Sequence, residues 1–146
     1  PDVVNLAGMD IRDGEGIRKI IPPASVQFCS VDVSFISIKK ILDALPPLLE
    51  RKAWAVLLIK PQFEAGRAAV GKRGVVRDPE AHRAVLRELL PFLRSRGFGL
   101  EKLTPSPIKG GDGNIEYLAL TRYGCPEGAP PDVEAVVTEA FGRRDE

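Results

Sequence analysis

Trp54-Ala55-Val56-Leu57-Leu58-Ile59-Lys60-Pro61 is the stretch on which the fold turns. Its apolar residues run without a break and stop at a lysine and a proline. The run has strand length and lacks the alternation of a half-solvated strand. It therefore predicts a strand of a parallel sheet, buried on both faces. Upstream, residues 26–32 alternate loosely and end on Asp32, which predicts a second strand. Between the two, Ile38, Ile41, Leu42 and Leu45 recur at three- and four-residue spacing. That pattern predicts an amphipathic helix within 37–49, interrupted by Pro46-Pro47.

Downstream, residues 63–77 form a glycine-rich basic loop. Asp78-Pro79-Glu80 then starts a helix, with Asp78 as N-cap and Pro79 at the first helical position. Val85, Leu86, Leu89, Leu90 and Leu93 supply its apolar face, Pro91 predicts a kink, and Gly97 a stop. Residues 101–104 and 115–121 read as two strands, and 132–141 as a final helix. Before the central strands, residues 3–6 are β-prone and 17–21 suit a short helix closed by Pro22-Pro23. Strands alternating with helices predict an α/β fold with a parallel sheet. The last two strands break the alternation and predict an antiparallel end.

The composition belongs to one globular domain: 146 residues, 44% hydrophobic and 28% charged. Twenty-one basic against 20 acidic residues leave a net charge of +1, which excludes a supercharged nucleic-acid tail but not a local basic patch. The two cysteines, Cys29 and Cys125, suggest neither a disulfide scaffold nor a zinc site, and the chain reads as cytoplasmic by default. No apolar run approaches the ~20 residues that span a bilayer. The start, Pro1-Asp2-Val3-Val4, lacks the pattern of a signal peptide, and the only methionine is Met9, so the chain reads as a fragment of something longer.

Three polar residues stand at strand ends: Asp32, Lys60 and Glu116. Ligands of open α/β sheets bind outside the carboxyl ends of the parallel strands. If the last strand runs antiparallel, its beginning lies at that same edge and the three side chains converge. A lysine flanked by two carboxylates suits proton handling; strand ends also carry polar residues simply because they reach water. Residues 66–73 partly match a phosphate-binding loop, but Arg73 stands where a hydroxyl is needed and no helix opens at once, so that reading is rejected. A loop that touches a polyanion through Arg67, Lys72, Arg73 and Arg77, or a plainly solvated one, remains. His82, the one histidine, reads as a surface residue, and Cys29 as a small core residue. No hydrolase triad and no metal cluster can be assembled.

Read together, several segments resemble the TlyA, or hemolysin A, family of FtsJ-like RNA methyltransferases. They are residues 31–37 (VDVSFIS), 59–66 (IKPQFEAG), 70–79 (VGKRGVVRDP), 104–108 (TPSPI) and 113–118 (GNIEYL). The resemblance covers residues about 3 to 142, which would form the C-terminal portion of the methyltransferase domain, followed by a charged tail at 143–146. It implies an S-adenosyl-L-methionine-dependent ribose 2′-O-methyltransferase acting on ribosomal RNA. It also implies a Rossmann-like sheet of seven strands in the order 3-2-1-4-5-7-6, with the seventh antiparallel. Asp32, Lys60 and Glu116 would be the last three members of the Lys-Asp-Lys-Glu set of FtsJ-like enzymes. Met9, Asp10, Ile11 and Asp32 would line the cofactor.

The chain departs from the family pattern at its start. The glycine-rich cofactor loop, the acidic ribose-binding residue, the first catalytic lysine and the S4-type RNA-binding domain are all missing from it. The sheet is therefore expected to be truncated on its N-terminal side. Residues 3–12 resemble the third strand and its turn, but the second strand with which it would pair is missing. The exposed edge of the fourth strand is expected to invite self-association. Two other readings stand beside the enzyme: a non-catalytic RNA-binding fragment, and a membrane-active protein of the kind the hemolysin name suggests. No spanning segment and no strongly basic amphipathic helix support the latter.

Overall fold

A computed structural model describes residues 3–143. The strands are β1 (Val26–Val31), β2 (Leu49–Ile59), β3 (Phe98–Pro105) and β4 (Tyr117–Tyr123). The helices are α1 (Gly14–Arg18), α2 (Lys39–Leu42), α3 (Pro61–Glu64), α4 (Pro79–Ser95) and α5 (Val133–Gly142). The four strands form one sheet in the order β1-β2-β4-β3. β1 and β2 are parallel, and β4 runs antiparallel to both of its neighbours. The last strand in sequence thus inserts between β2 and β3, which is the order that the family resemblance implies for its fourth to seventh strands.

Register explains the burial. Ala55, Leu57 and Ile59 of β2 pair with Thr121, Ala119 and Tyr117 of β4, and all six are fully buried. Their neighbours on the opposite face, Trp54, Val56, Leu58, Leu118 and Leu120, stay half-buried, and Phe28 on edge strand β1 is 60% exposed. The prediction of a strand buried on both faces therefore holds for one face of β2 only. The buried face meets Ile38, Ile41, Leu42 and Leu45 around α2, the apolar stripe of α4, and Val137 and Ala140 of α5 in one core.

The helix signals act as local chemistry dictates. The Asp78 carboxylate accepts from the Glu80 amide at 3.0 Å, and Pro79 opens α4 without losing a hydrogen bond. Asp132 caps α5 in the same way through the Ala135 amide at 2.9 Å. Pro91 sits on the exposed side of α4, and the helix runs on past it to Ser95. Gly97 then takes φ +88, a left-handed conformation that suits a residue without Cβ.

Further expectations need correction: the helix expected within 37–49 shortens to the single turn α2, Lys39–Leu42, and the one expected at 17–21 lies at Gly14–Arg18 instead. Residues 3–6 form no strand; Val3 and Val4 are 81% and 62% exposed, and no strand among the described residues pairs with them. His82 is not a surface residue but fully buried. The charged residues around it in sequence lie on the solvent side of α4, while the helical period turns His82 inward with Val85, Leu86 and Leu89. Of the charged tail, Arg143 pairs with Glu139 at 2.5 Å, and residues 144–146 lie outside the described residues.

Candidate active site

The site is assembled by strand ends. Asp32 is the first residue beyond β1 and Lys60 the first beyond β2, so the parallel pairing brings both to one edge. Ile59 pairs with Tyr117, which sets Glu116 opposite Lys60 in the antiparallel register. Pro61 at the first position of α3 turns the chain sharply after Lys60. The Glu64 carboxylate at the end of α3 accepts from the Ser37 hydroxyl and the Ile38 amide, each at 2.7 Å. That clasp fixes the loop carrying Ser34 and Phe35 against Lys60 and the helix α3 that carries Gln62.

Lys60 Nζ lies 2.6 Å from Asp32 Oδ1 and donates to Ser34 Oγ at 2.9 Å. The lysine side chain is 12% exposed and the aspartate 68%. Glu116 is 6% exposed and accepts from Gln62 Nε2 at 2.9 Å. This leaves Gln62 Oε1 buried without a hydrogen-bond partner among the described residues. Lys60, Glu116, Gln62, Ser34, Phe63 and Asn114 line a cavity of about 310 Å³. That volume is at the lower end of ordinary small-molecule sites. Phe35 stands at its mouth, 90% exposed, with φ +62, and its ring lies 5.0 Å from that of Phe63. A large apolar side chain held in water on a left-handed backbone is costly to maintain, and such features concentrate at functional sites.

The sequence-derived residues fall into three places. Lys60 and Glu116 share the cavity, and Asp32 joins them through its ion pair with Lys60. Met9, Asp10 and Ile11 line no part of it. Ile11 borders a second cavity of about 210 Å³ against α1 and the segment after α2, together with Arg12, Arg18 and Asp43. Asp10 is gripped by the Arg12 guanidinium at 2.6–3.1 Å, which lowers its pKa to about 2. Arg67, Lys72, Arg73 and Arg77 are all exposed along a loop whose Val70 and Gly74 form one wall of the first cavity. Among the described residues none of these four has an ion-pair partner.

Sequence reasoning passed over Ser34, Gln62 and Asn114. Ser34 and Gln62 stand two residues from Asp32 and Lys60 respectively, and that adjacency was the available signal. Asn114 lay within the 113–118 segment of the resemblance but received no role, because in a Gly-rich turn asparagine is expected for its backbone alone. Among the described residues no group of histidine, cysteine or carboxylate side chains could hold a metal ion. No helix among them is long and apolar enough to cross a membrane.

Comparison with known proteins supplies the family. YqxC of Bacillus subtilis is 50% identical over 92 residues, 63% of this chain and 33% of that protein. The 16S/23S rRNA (cytidine-2′-O)-methyltransferase TlyA of Mycobacterium tuberculosis is 36% identical over 97 residues, 66% of this chain and 36% of its own length. The solved structure of a hemolysin-named protein of Streptococcus thermophilus superposes with a TM-score of 0.79 at 39% identity, covering 91% of this chain and 48% of that one. The chain thus spans about a third of the length of the curated relatives it matches. The model of the FtsJ-like methyltransferases matches residues 1–123, which include both parallel strands, Lys60 and the last strand. With that match, the chain belongs to the FtsJ-like methyltransferase family.

Proposed function

We propose that this chain carries the catalytic strand ends of an S-adenosyl-L-methionine-dependent RNA ribose 2′-O-methyltransferase whose substrate is ribosomal RNA. The observation that carries the reading is the setting of Lys60. Nζ has three positions for hydrogen-bond partners. Asp32 and Ser34 take two of them. The third is left for a ribose 2′-hydroxyl in the cavity that Lys60 and Glu116 share, whose proton it takes when the amine is neutral. Withdrawing that proton makes a poor nucleophile competent, a contribution of roughly 10²–10⁴-fold. Glu116, held by Gln62, orients the sugar. Phe35 at the mouth offers a face to a base, and the unpaired cations of the 67–77 loop meet phosphates.

The cofactor, when bound, supplies the electrophilic methyl group. This chain fits one side of it. Asp32 offers a largely exposed carboxylate at the carboxyl end of β1, where ligands of such sheets sit and where a cationic group is favoured. Ile11 stands at the separate cavity beside α1, Met9 and Asp10 line neither cavity, and none of the three is assigned a contact with the cofactor.

In a full-length enzyme carrying this segment, Lys60→Ala should lower radiolabelled methyl transfer to ribosomal RNA by at least about 10²-fold, with cofactor affinity by calorimetry little changed. Wild-type turnover in that variant would make Lys60 structural. A second reading, a non-catalytic RNA-binding segment, draws on the same unpaired cations. It predicts RNA binding without any methyl transfer in the full-length protein.

A further inference from the structure

Asn114 is 4% exposed, and its amide is fully used. Its Oδ1 accepts from the Val76 amide at 3.2 Å, and its Nδ2 donates to the carbonyls of Gly74 at 3.0 Å and Gly111 at 3.1 Å. Val76 is held from its other side as well. His82 Nε2 lies 2.9 Å from the Val76 carbonyl, and His82 Nδ1 lies 2.9 Å from the Tyr117 hydroxyl. A carbonyl only accepts, so Nε2 carries the proton and the Tyr117 hydroxyl donates to Nδ1. His82 and Tyr117 are both fully buried, and the edge of the Phe141 ring of α5 closes over the imidazole at 4.9 Å.

Both backbone polar groups of Val76 are therefore gripped by buried side chains from two other parts of the chain. The tip of the loop closes on itself above that anchor, with Gly74 N donating to Gly71 O and Gly71 N to Val75 O. Lys72 and Arg73 ride on this tip, and Arg77 follows Val76 directly. The other end of the relay is Tyr117, the residue after Glu116. A solvated loop with no ordering task needs no such anchorage, since its backbone groups are satisfied by water.

We infer that Asn114 and His82 are positioning residues. They hold the basic loop in one conformation, at a fixed offset from Glu116, so that its cations meet RNA phosphates already ordered. The inference rests on the RNA reading above for its purpose, but the anchorage itself can be tested without RNA. An ordered set of charges avoids the entropic cost of fixing the loop at the moment of binding. Loosening the anchor should weaken binding while leaving every charge in place.

The test uses this chain. In the wild type, the Val76 amide should exchange with deuterium far more slowly than the amides of Lys72 and Arg73. The ring ¹⁵N spectrum of the single histidine should show the Nε2–H tautomer. In Asn114→Ala, exchange at Val76 should rise by at least about 10-fold. Affinity for a single-stranded 20-nucleotide RNA should fall about 10-fold, with an unchanged dependence on salt, because the slope counts phosphates neutralised and the cations all remain. His82→Gln keeps an N–H donor for Val76 and should restore most of the affinity that His82→Leu removes. Tyr117→Phe, which removes one hydroxyl, serves where His82→Leu does not fold. Unchanged Val76 exchange in Asn114→Ala overturns the anchorage. Faster exchange with unchanged RNA affinity overturns the positioning role. If the wild type binds no RNA, the substrate reading fails while the exchange and tautomer results still decide the anchorage.

Discussion

Gly110 shows how tightly single residues are specified around Glu116. A Cβ built there would lie 2.0 Å from Glu116 Oε1. Its φ of −74 suits any residue, so the constraint is space and not backbone conformation. Gly110→Ala should displace the carboxylate and break its bond with Gln62. We expect a destabilisation of about 1–3 kcal/mol in denaturant unfolding, and a fall in methyl transfer by a full-length enzyme out of proportion to it. A variant with wild-type stability and turnover would show that Glu116 has room to move. His82 gives a second prediction. Burial lowers its pKa, opposed only partly by the Val76 carbonyl and the charge of Asp78. The unfolded chain takes up the proton near pH 6.5 while the folded chain still refuses it. Stability should therefore be fully present above about pH 6.5 and fall as pH drops toward the lowered value. Tyr117, whose phenol is pushed up by burial, stays neutral throughout that window. Since His82 is the one histidine, His82→Gln should flatten the slope of unfolding free energy between about pH 6.5 and 5. An equal slope in both proteins would place the proton elsewhere. Asp32, Lys60 and Glu116 were legible in the sequence because strand ends are legible. Ser34, Gln62 and Asn114 were not, because hydrogen-bond partners are chosen in space.

At the scale of elements, cap chemistry was readable and pairing was not. Asp78-Pro79 marked the start of α4, because an N-cap satisfies its own helix within three residues. The 3–6 run failed as a strand for the opposite reason: a strand needs a partner, and residues 3–6 have none among the described residues. The basic loop is the element on which binding predictions rest. Replacing Lys72, Arg73 and Arg77 with alanine should weaken RNA binding and flatten its salt dependence. The slope should fall by about 0.7 unit for each single-strand phosphate that is no longer neutralised. Titration of RNA at several salt concentrations measures both effects. This differs from the loosened anchor, which lowers affinity at constant slope. An unchanged slope in the triple variant would mean that the loop is merely solvated.

Among the described residues one sheet face is well covered and the other half-open, and β1 forms an edge of the sheet. Among the described strands β1 hydrogen-bonds to β2 alone, and Phe28 on that edge is 60% exposed. Exposed edges and apolar patches invite pairing with other chains. This chain alone should self-associate in sedimentation experiments, in a manner reduced by Phe28→Lys. It should also bind S-adenosyl-L-methionine weakly or not at all by calorimetry, since the reading proposed above assigns it a single contact, Asp32. A strictly monomeric chain with tight stoichiometric binding would contradict both expectations. The sequence by itself determined the α/β class, the antiparallel last strand, the helix starts and the strand-end residues of the site. Those features follow from periodicity, capping and the polarity change where a strand meets water, all of which act over a few residues. Only the tertiary structure decided that β2 is buried on one face alone, that His82 faces inward, and that Asn114 ties two distant loops together. Those outcomes depend on which surfaces meet across the sheet, and pairings between residues tens of positions apart leave no local pattern to read.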